Sequence, residues 1–196
     1  MKKWKLTLIV MAVAYVMIGC GDSNLSNTNT VSVQKDGSIK QIIVEQFERN
    51  YYDVEELTTM AQEKISQFGD GTQKVVCDSI KEKDGKIVVE MTYQSGTDYT
   101  EFNNRELFNG TVAEALAKGY SLKDAVSEDG TDISEEQLAQ INENHVIVVG
   151  TKEGEELNVQ VYDKILYTSG NVIISGKEDA HIGAEGEDML SYIIFK

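Results

Sequence analysis

This chain of 196 residues contains no proline, two cysteines, two histidines, and 18 basic residues against 33 acidic ones. Each shortage closes off a class of function. Without proline there is no native cis-prolyl bond and no PxxP ligand, and the turns must rely on the 16 glycines. Two cysteines cannot build a disulfide-rich scaffold or a four-cysteine zinc site. Two histidines exclude a three-histidine metal centre. A net charge of −15 opposes nucleic acid as a partner, because neutralising phosphates takes clustered Lys and Arg. The chain also has no GxGxxG, P-loop, GxSxG, HExxH or CxxC motif, and it implies no cofactor. What remains is a 41% hydrophobic composition, ordinary for a domain with a packed core.

No apolar run is long enough to span a bilayer. The longest, Leu6 to Ile18, covers 13 residues, or about 20 Å of helix against a hydrocarbon core of about 30 Å. It follows the basic head Met1-Lys-Lys-Trp-Lys5, and together they have the form of a secretory signal. The run closes on Met17-Ile18-Gly19-Cys20, with Met17 and Ile18 where Leu and a small residue are usual. This segment resembles the lipobox of bacterial lipoprotein signal peptides. The resemblance spans residues 1–20 and implies removal of 1–19, with diacylglycerol, carrying acyl chains such as palmitate, on the sulfur of Cys20. The mature chain is then expected at the cell membrane, lipid-anchored and facing the extracytoplasmic side.

Losing three lysines with the signal leaves 15 basic and 33 acidic residues, a net of −18, so the mature domain should stand off anionic headgroups. Residues 20–30 read as the lipidated cysteine and a tether rich in Asn, Ser and Thr, with a flexible-coil reach of about 17–19 Å. Residues 31–196 read as one globular domain. In it Cys77 is the only thiol, either a small buried hydrophobe or a nucleophile with His145 or His181 as its base.

The pattern of that domain predicts an α+β fold with a mainly antiparallel sheet of about 7–8 strands. It further predicts one long helix in the N-terminal half and two or three short central helices. Lys35-Asp36-Gly37 and Asp84-Gly85 sit between β-rich runs, where type I′ turns make hairpins. Asp53 opens a helix carrying the stripe Val54, Leu57, Ala61, Ile65 and Phe68, with Gly69 to end it. Asp98 to Phe108 reads as a second helix, and Thr111/Glu114 and Ser134/Gln137 as capping boxes of two short ones. Strands return at 145–149, 157–162, 164–168, 172–175 and 190–195. Between the last two lies Gly176 to Asp188, read as an acidic loop.

That loop supplies weak metal candidates, Glu178, Asp179, Glu185, Glu187 and Asp188, since hard cations favour carboxylate oxygens; a solvated acidic face is the simpler reading, and no metal is assigned. Ser127 to Glu136 fails as a calcium loop because Ala125 would occupy the first ligand position. Tyr99, Phe102 and Tyr120 fall in the aromatic-rich helical middle and are candidates to line a cleft for a glycan, peptide or protein of the cell envelope. No catalytic residue is assigned. The expected function is a membrane-anchored, non-enzymatic binding or interaction module at the cell surface. The alternatives are a small exported hydrolase using carboxylate or Tyr chemistry, and a structural or accessory envelope lipoprotein.

Overall fold

Local signals set the elements, and the order in which strands pair sets the architecture. The computed structural model describes residues 28–46, 53–68, 72–183 and 189–196. The signal, Cys20 and most of the tether lie outside them, as do Gly69, Glu185, Glu187 and Asp188.

The chain runs β1 (Thr30–Val33), β2 (Ile39–Gln46), α1 (Val54–Gln67), β3 (Val75–Lys83), β4 (Lys86–Tyr93), α2 (Gly96–Asn103), β5 (Leu107–Thr111) and α3 (Val112–Ala117). It continues through β6 (Ala125–Ser127), α4 (Glu135–Gln140), β7 (His145–Thr151), β8 (Leu157–Gln160), β9 (Ile165–Ser169), β10 (Val172–Ile174), β11 (Asp179–Ile182) and β12 (Met189–Phe195). The expected α+β fold with one sheet of 7–8 strands and a long helix is therefore corrected. The described residues form a mostly β structure, with twelve strands in two sheets and four short helices, the longest of 14 residues. The sheets run β10-β11-β8-β1-β2-β4-β3 and β5-β7-β12-β9-β6.

Two local misreadings explain much of the difference. The expected helix Asp98–Phe108 stops at Asn104, whose left-handed backbone (φ 50°, ψ 47°) cannot continue an α-helix, and the chain re-enters as β5. Within the expected acidic loop, Asp179–Ile182 forms β11, a four-residue strand held between β8 and β10.

The two sheets pack face to face. Their shared core takes Val31 and Val33 from β1, Met91 and Tyr93 from β4, and Ile193 and Phe195 from β12. Successive strand residues point to opposite faces, so a strand with no polar alternation must be covered on both. In β7, Ile147 and Val149 face this core, whereas Val146 and Val148 join a second one beneath α3 and α4. In β12, Ile193 and Phe195 divide from Tyr192 and Ile194 in the same way. Capping boxes at Thr111/Glu114 and Ser134/Gln137 fix the two covering helices, which bring Val112, Ala115 and Leu138 onto the five-stranded sheet.

All strand pairs are antiparallel except β1–β8, which joins Thr30–Ser32 to Asn158–Gln160. At one end of the sandwich the β1–β2 turn is held by Asn109, whose Nδ2 donates to Gly37 O (3.2 Å) and whose Oδ1 accepts from Gly96 N (3.2 Å). Gly96 is required there, because a Cβ would lie 2.6 Å from Asn109 Oδ1 and 3.0 Å from the Leu107 carbonyl.

Candidate functional site

A partly apolar groove of about 530 Å³ lies between α1 and β3, and a more polar cleft of equal volume lies beside Arg105 and Glu155. The helical wall of the groove is positioned by Asp53, whose carboxylate accepts from Glu55 N (2.7 Å) and Glu56 N (3.4 Å) and so closes the open amides of α1. Helical spacing then puts Thr58, Gln62, Ile65 and Ser66 on one face, toward the groove. Its other wall is the six consecutive residues Val75 to Ile80. Neighbouring side chains of a strand point to opposite faces, so a groove that touches six in a row runs along the edge of β3 and not over one face. β3 is the terminal strand of the seven-stranded sheet, paired with β4 alone among the described residues.

The pairing slips between Cys77 and Ser79, leaving Asp78 as the extra residue of a β-bulge. Asp78 Oδ2 accepts from Thr92 Oγ1 (2.6 Å), which fixes the bulge onto β4. The half-buried Cys77 thiol lines the groove, and burial, helped by the Asp78 charge, pushes its pKa up. It is therefore held as neutral thiol at physiological pH, the opposite of an activated nucleophile. Neither histidine lines this groove. His145 stacks on Phe195 (5.6 Å between centroids) beside Tyr162, and His181 Nδ1 lies 2.9 Å from Asn158 Oδ1.

At the back of the groove Phe68 meets Phe102 edge-on (5.3 Å, 89°), Phe102 meets Tyr93 (5.9 Å), and Tyr93 meets Tyr99 (5.0 Å). Lys64 Nζ sits 4.2 Å above the Phe102 ring. Of the three aromatic candidates, Tyr99 and Phe102 are thus brought together, with Tyr99 1% exposed inside the core and Phe102 behind the groove wall. The Tyr93 hydroxyl donates to Gln41 Oε1 (2.7 Å), and Gln41 Nε2 donates to Tyr99 Oη (3.4 Å). Burial pushes the Tyr99 pKa up to about 12 and that of Tyr93 higher still.

Tyr120 lies elsewhere. Its ring packs against Phe108 (5.3 Å, 36°), its hydroxyl donates to the Glu106 carboxylate, and it borders a smaller cleft of about 390 Å³ beside Asn109 and the β1–β2 turn. Burial and the Glu106 carboxylate raise its pKa to about 12.

The acidic candidates that can be followed have other partners. Glu178 Oε1 accepts from Lys177 Nζ (3.0 Å), and Asp179 Oδ1 accepts from Gln160 Nε2 (2.9 Å) across the β11–β8 pair. Among the described residues no group of three or more His, Cys, Asp or Glu side chains is arranged to hold a metal ion, and no helix is long and apolar enough to cross a membrane.

Sequence reasoning did not find the groove residues Val76, Ile80 and Phe68 as a site. The available signal was the segment Val75-Val-Cys-Asp-Ser-Ile-Lys-Glu-Lys83, where broken alternation followed by charge marks an edge strand. Compared with known proteins, this chain matches no family model, no curated protein and no solved structure.

Proposed function

We propose that this chain is an extracytoplasmic lipoprotein, anchored through Cys20, whose β-sandwich acts as a non-enzymatic interaction module with the α1–β3 groove as its binding site. The groove carries this reading. Its volume is in the range of ligand sites, its lining is partly apolar, and it lies beside a strand edge that no described residue pairs with. The anchor is supported by the basic head, the short apolar run and Met17-Ile-Gly-Cys20. Binding rather than thiol chemistry in this groove is supported by Cys77, whose pKa burial raises and which has no imidazole lining the groove with it. The Tyr120 cleft is smaller, and its phenol is already engaged by Glu106.

Metabolic labelling with a palmitate analogue in a bacterial host tests the anchor. The full chain should take up label and sediment with membranes, and Cys20→Ala should abolish both. Label or membrane retention surviving in Cys20→Ala would overturn it. Alkylation of Cys77 tests the site: binding of an envelope protein fraction should slow the reaction, and an unchanged rate in the presence of a bound partner would remove the groove from consideration.

A further inference from the structure

We infer that the groove receives an extended peptide segment of a separate partner protein, which adds to the seven-stranded sheet as a strand along Val75–Ile80, and that this segment is apolar at alternate positions and neutral or basic. The inference rests on the interaction-module reading and specifies its ligand.

The first support is the edge itself. A terminal strand presents a row of backbone N–H and C=O groups, and proteins normally blunt such edges by shortness, charge or cover. The three other terminal strands are short, with β10 and β6 of three residues and β5 of five. β3 has nine. Its protection is confined to one end, where Lys81, Glu82 and Lys83 are all exposed and discourage pairing. The six residues Val75–Ile80 carry one charge, Asp78, and span about 20 Å at the usual rise per strand residue.

The second support is what faces that edge. α1 flanks it and touches the core only at Ile65 and Phe68, leaving the groove of about 530 Å³ between them. A strand added to β3 would direct alternate side chains toward Ile65, Phe68 and Ile80, and meet the polar Thr58, Gln62 and Ser66 on the helical wall. Val76, at 38% exposure, is a large apolar side chain already presented there.

Charge decides the occupant. The lining residues carry a single charge, the carboxylate of Asp78, in a chain of net −15, so an acidic segment is repelled and a neutral or basic one is favoured. The same argument disfavours a second copy of this chain. Pairing two β3 edges about a two-fold axis would bring two Asp78 carboxylates and two strongly acidic domains together.

A random nine-residue peptide library displayed on phage, panned against the full chain in detergent, provides the probe. Selection should enrich peptides alternating in Val, Ile, Phe or Tyr, poor in Pro, Asp and Glu. A synthesised winner should slow amide hydrogen exchange in β3 and leave β6 and β10 unchanged. N-methylating its backbone at the residues facing β3 should weaken binding at least tenfold, as should Gln62→Arg, a change on an exposed position of α1 that leaves the far-UV circular dichroism intact. Peptides that protect Cys77 from alkylation without slowing β3 exchange, or that tolerate N-methylation on both registers, would overturn strand addition and leave the interaction module standing. Enrichment of acidic peptides, or a β3-mediated dimer in sedimentation, would overturn the stated partner. Failure to enrich any peptide that protects Cys77 would remove the groove as a binding site altogether.

Discussion

The centre of the five-stranded sheet and the α1–β3 margin are built from similar residues and reach opposite ends of packing. In β12, Ile193 and Ile194 are both fully buried, one in each core, because both faces of that strand are covered. In α1 the stripe Leu57, Ala61 and Ile65 is no better than half-buried, and only the C-terminal end of the helix, at Ile65 and Phe68, packs against the core. Burying a Leu or Ile side chain contributes about 1.5–3 kcal/mol, so the first region holds the fold together and the second adds little to it. Stability concentrates in one place and free surface in the other, the distribution that the proposed interaction module would use, since binding elements are drawn from the weakly held part of a structure.

The sharpest test of this contrast pairs two truncations of the same side chain. Ile193→Ala should cost about 2–5 kcal/mol, read as a lower denaturant midpoint at unchanged slope, whereas Ile65→Ala should cost less than about 1.5 kcal/mol while impairing binding in the groove. Equal losses would mean that α1 is part of the core, and the contrast would fail.

Next in size is Asn109→Ala, which removes the two bonds tying the β1–β2 turn to the start of α2 and should cost about 1–2 kcal/mol by the same denaturation measurement. Asp53→Ala should cost about 1 kcal/mol at most, and its signature is local. Hydrogen exchange should quicken in α1 and remain unchanged in β7 and β12. Acceleration in both regions would show that α1 and the sandwich open together.

A pH series separates the regions by chemistry. A buried tyrosine with raised folded pKa contributes stability that is complete below the unfolded pKa of about 10 and is lost as pH rises toward the folded value. For Tyr99 that value is about 12, so the melting temperature should hold to about pH 10 and fall between 10 and 12. Tyr99→Phe should flatten that fall. The smallest effect concerns Tyr192, whose hydroxyl is the one buried side-chain polar atom without a hydrogen-bond partner among the described residues. Burial, helped by the Asp124 charge, pushes its pKa up to about 12. Tyr192→Phe should leave stability unchanged or raise it by up to about 1 kcal/mol.

Elements that depend on neighbours in sequence were legible. The stripe behind Asp53 became α1, and Asp84-Gly85 takes positive φ at both residues as a type I′ turn requires, whereas in the first hairpin only Gly37 does, so that turn is not type I′. Pairings between distant residues were not. Nothing in Thr30-Val-Ser-Val33 announces that Ser32 Oγ will donate to Gln160 Oε1, 128 residues away. β6 and β11, of three and four residues, are too short to carry a period and exist because a neighbouring strand extends the ladder to them. Asn104 looked helical because its neighbours are, yet one left-handed residue divided α2 from β5. The aromatic residues of the middle segment were legible as a group, but their separation into an interior cluster and the Tyr120 shelf depends on which face each element turns inward. The groove escaped notice for the same reason, since a strand is an edge only once the order of the sheet is known.

The position of β1 has a mechanical consequence. This strand is interior to its sheet, bonded to β2 on one side and β8 on the other, and the residues just ahead of it are fastened as well. Asn29 Oδ1 accepts from Val44 N (2.9 Å), Asn29 O accepts from Asn158 N (2.9 Å), and Asn158 Nδ2 donates to Thr28 Oγ1 (2.6 Å). A pull on the chain ahead of Thr28 therefore loads two rows of hydrogen bonds together in shear, where an edge strand would peel away one bond at a time. The resistance of this domain to tension comes from where its first described strand sits, at the point where a load on the amino-terminal side enters the sheet.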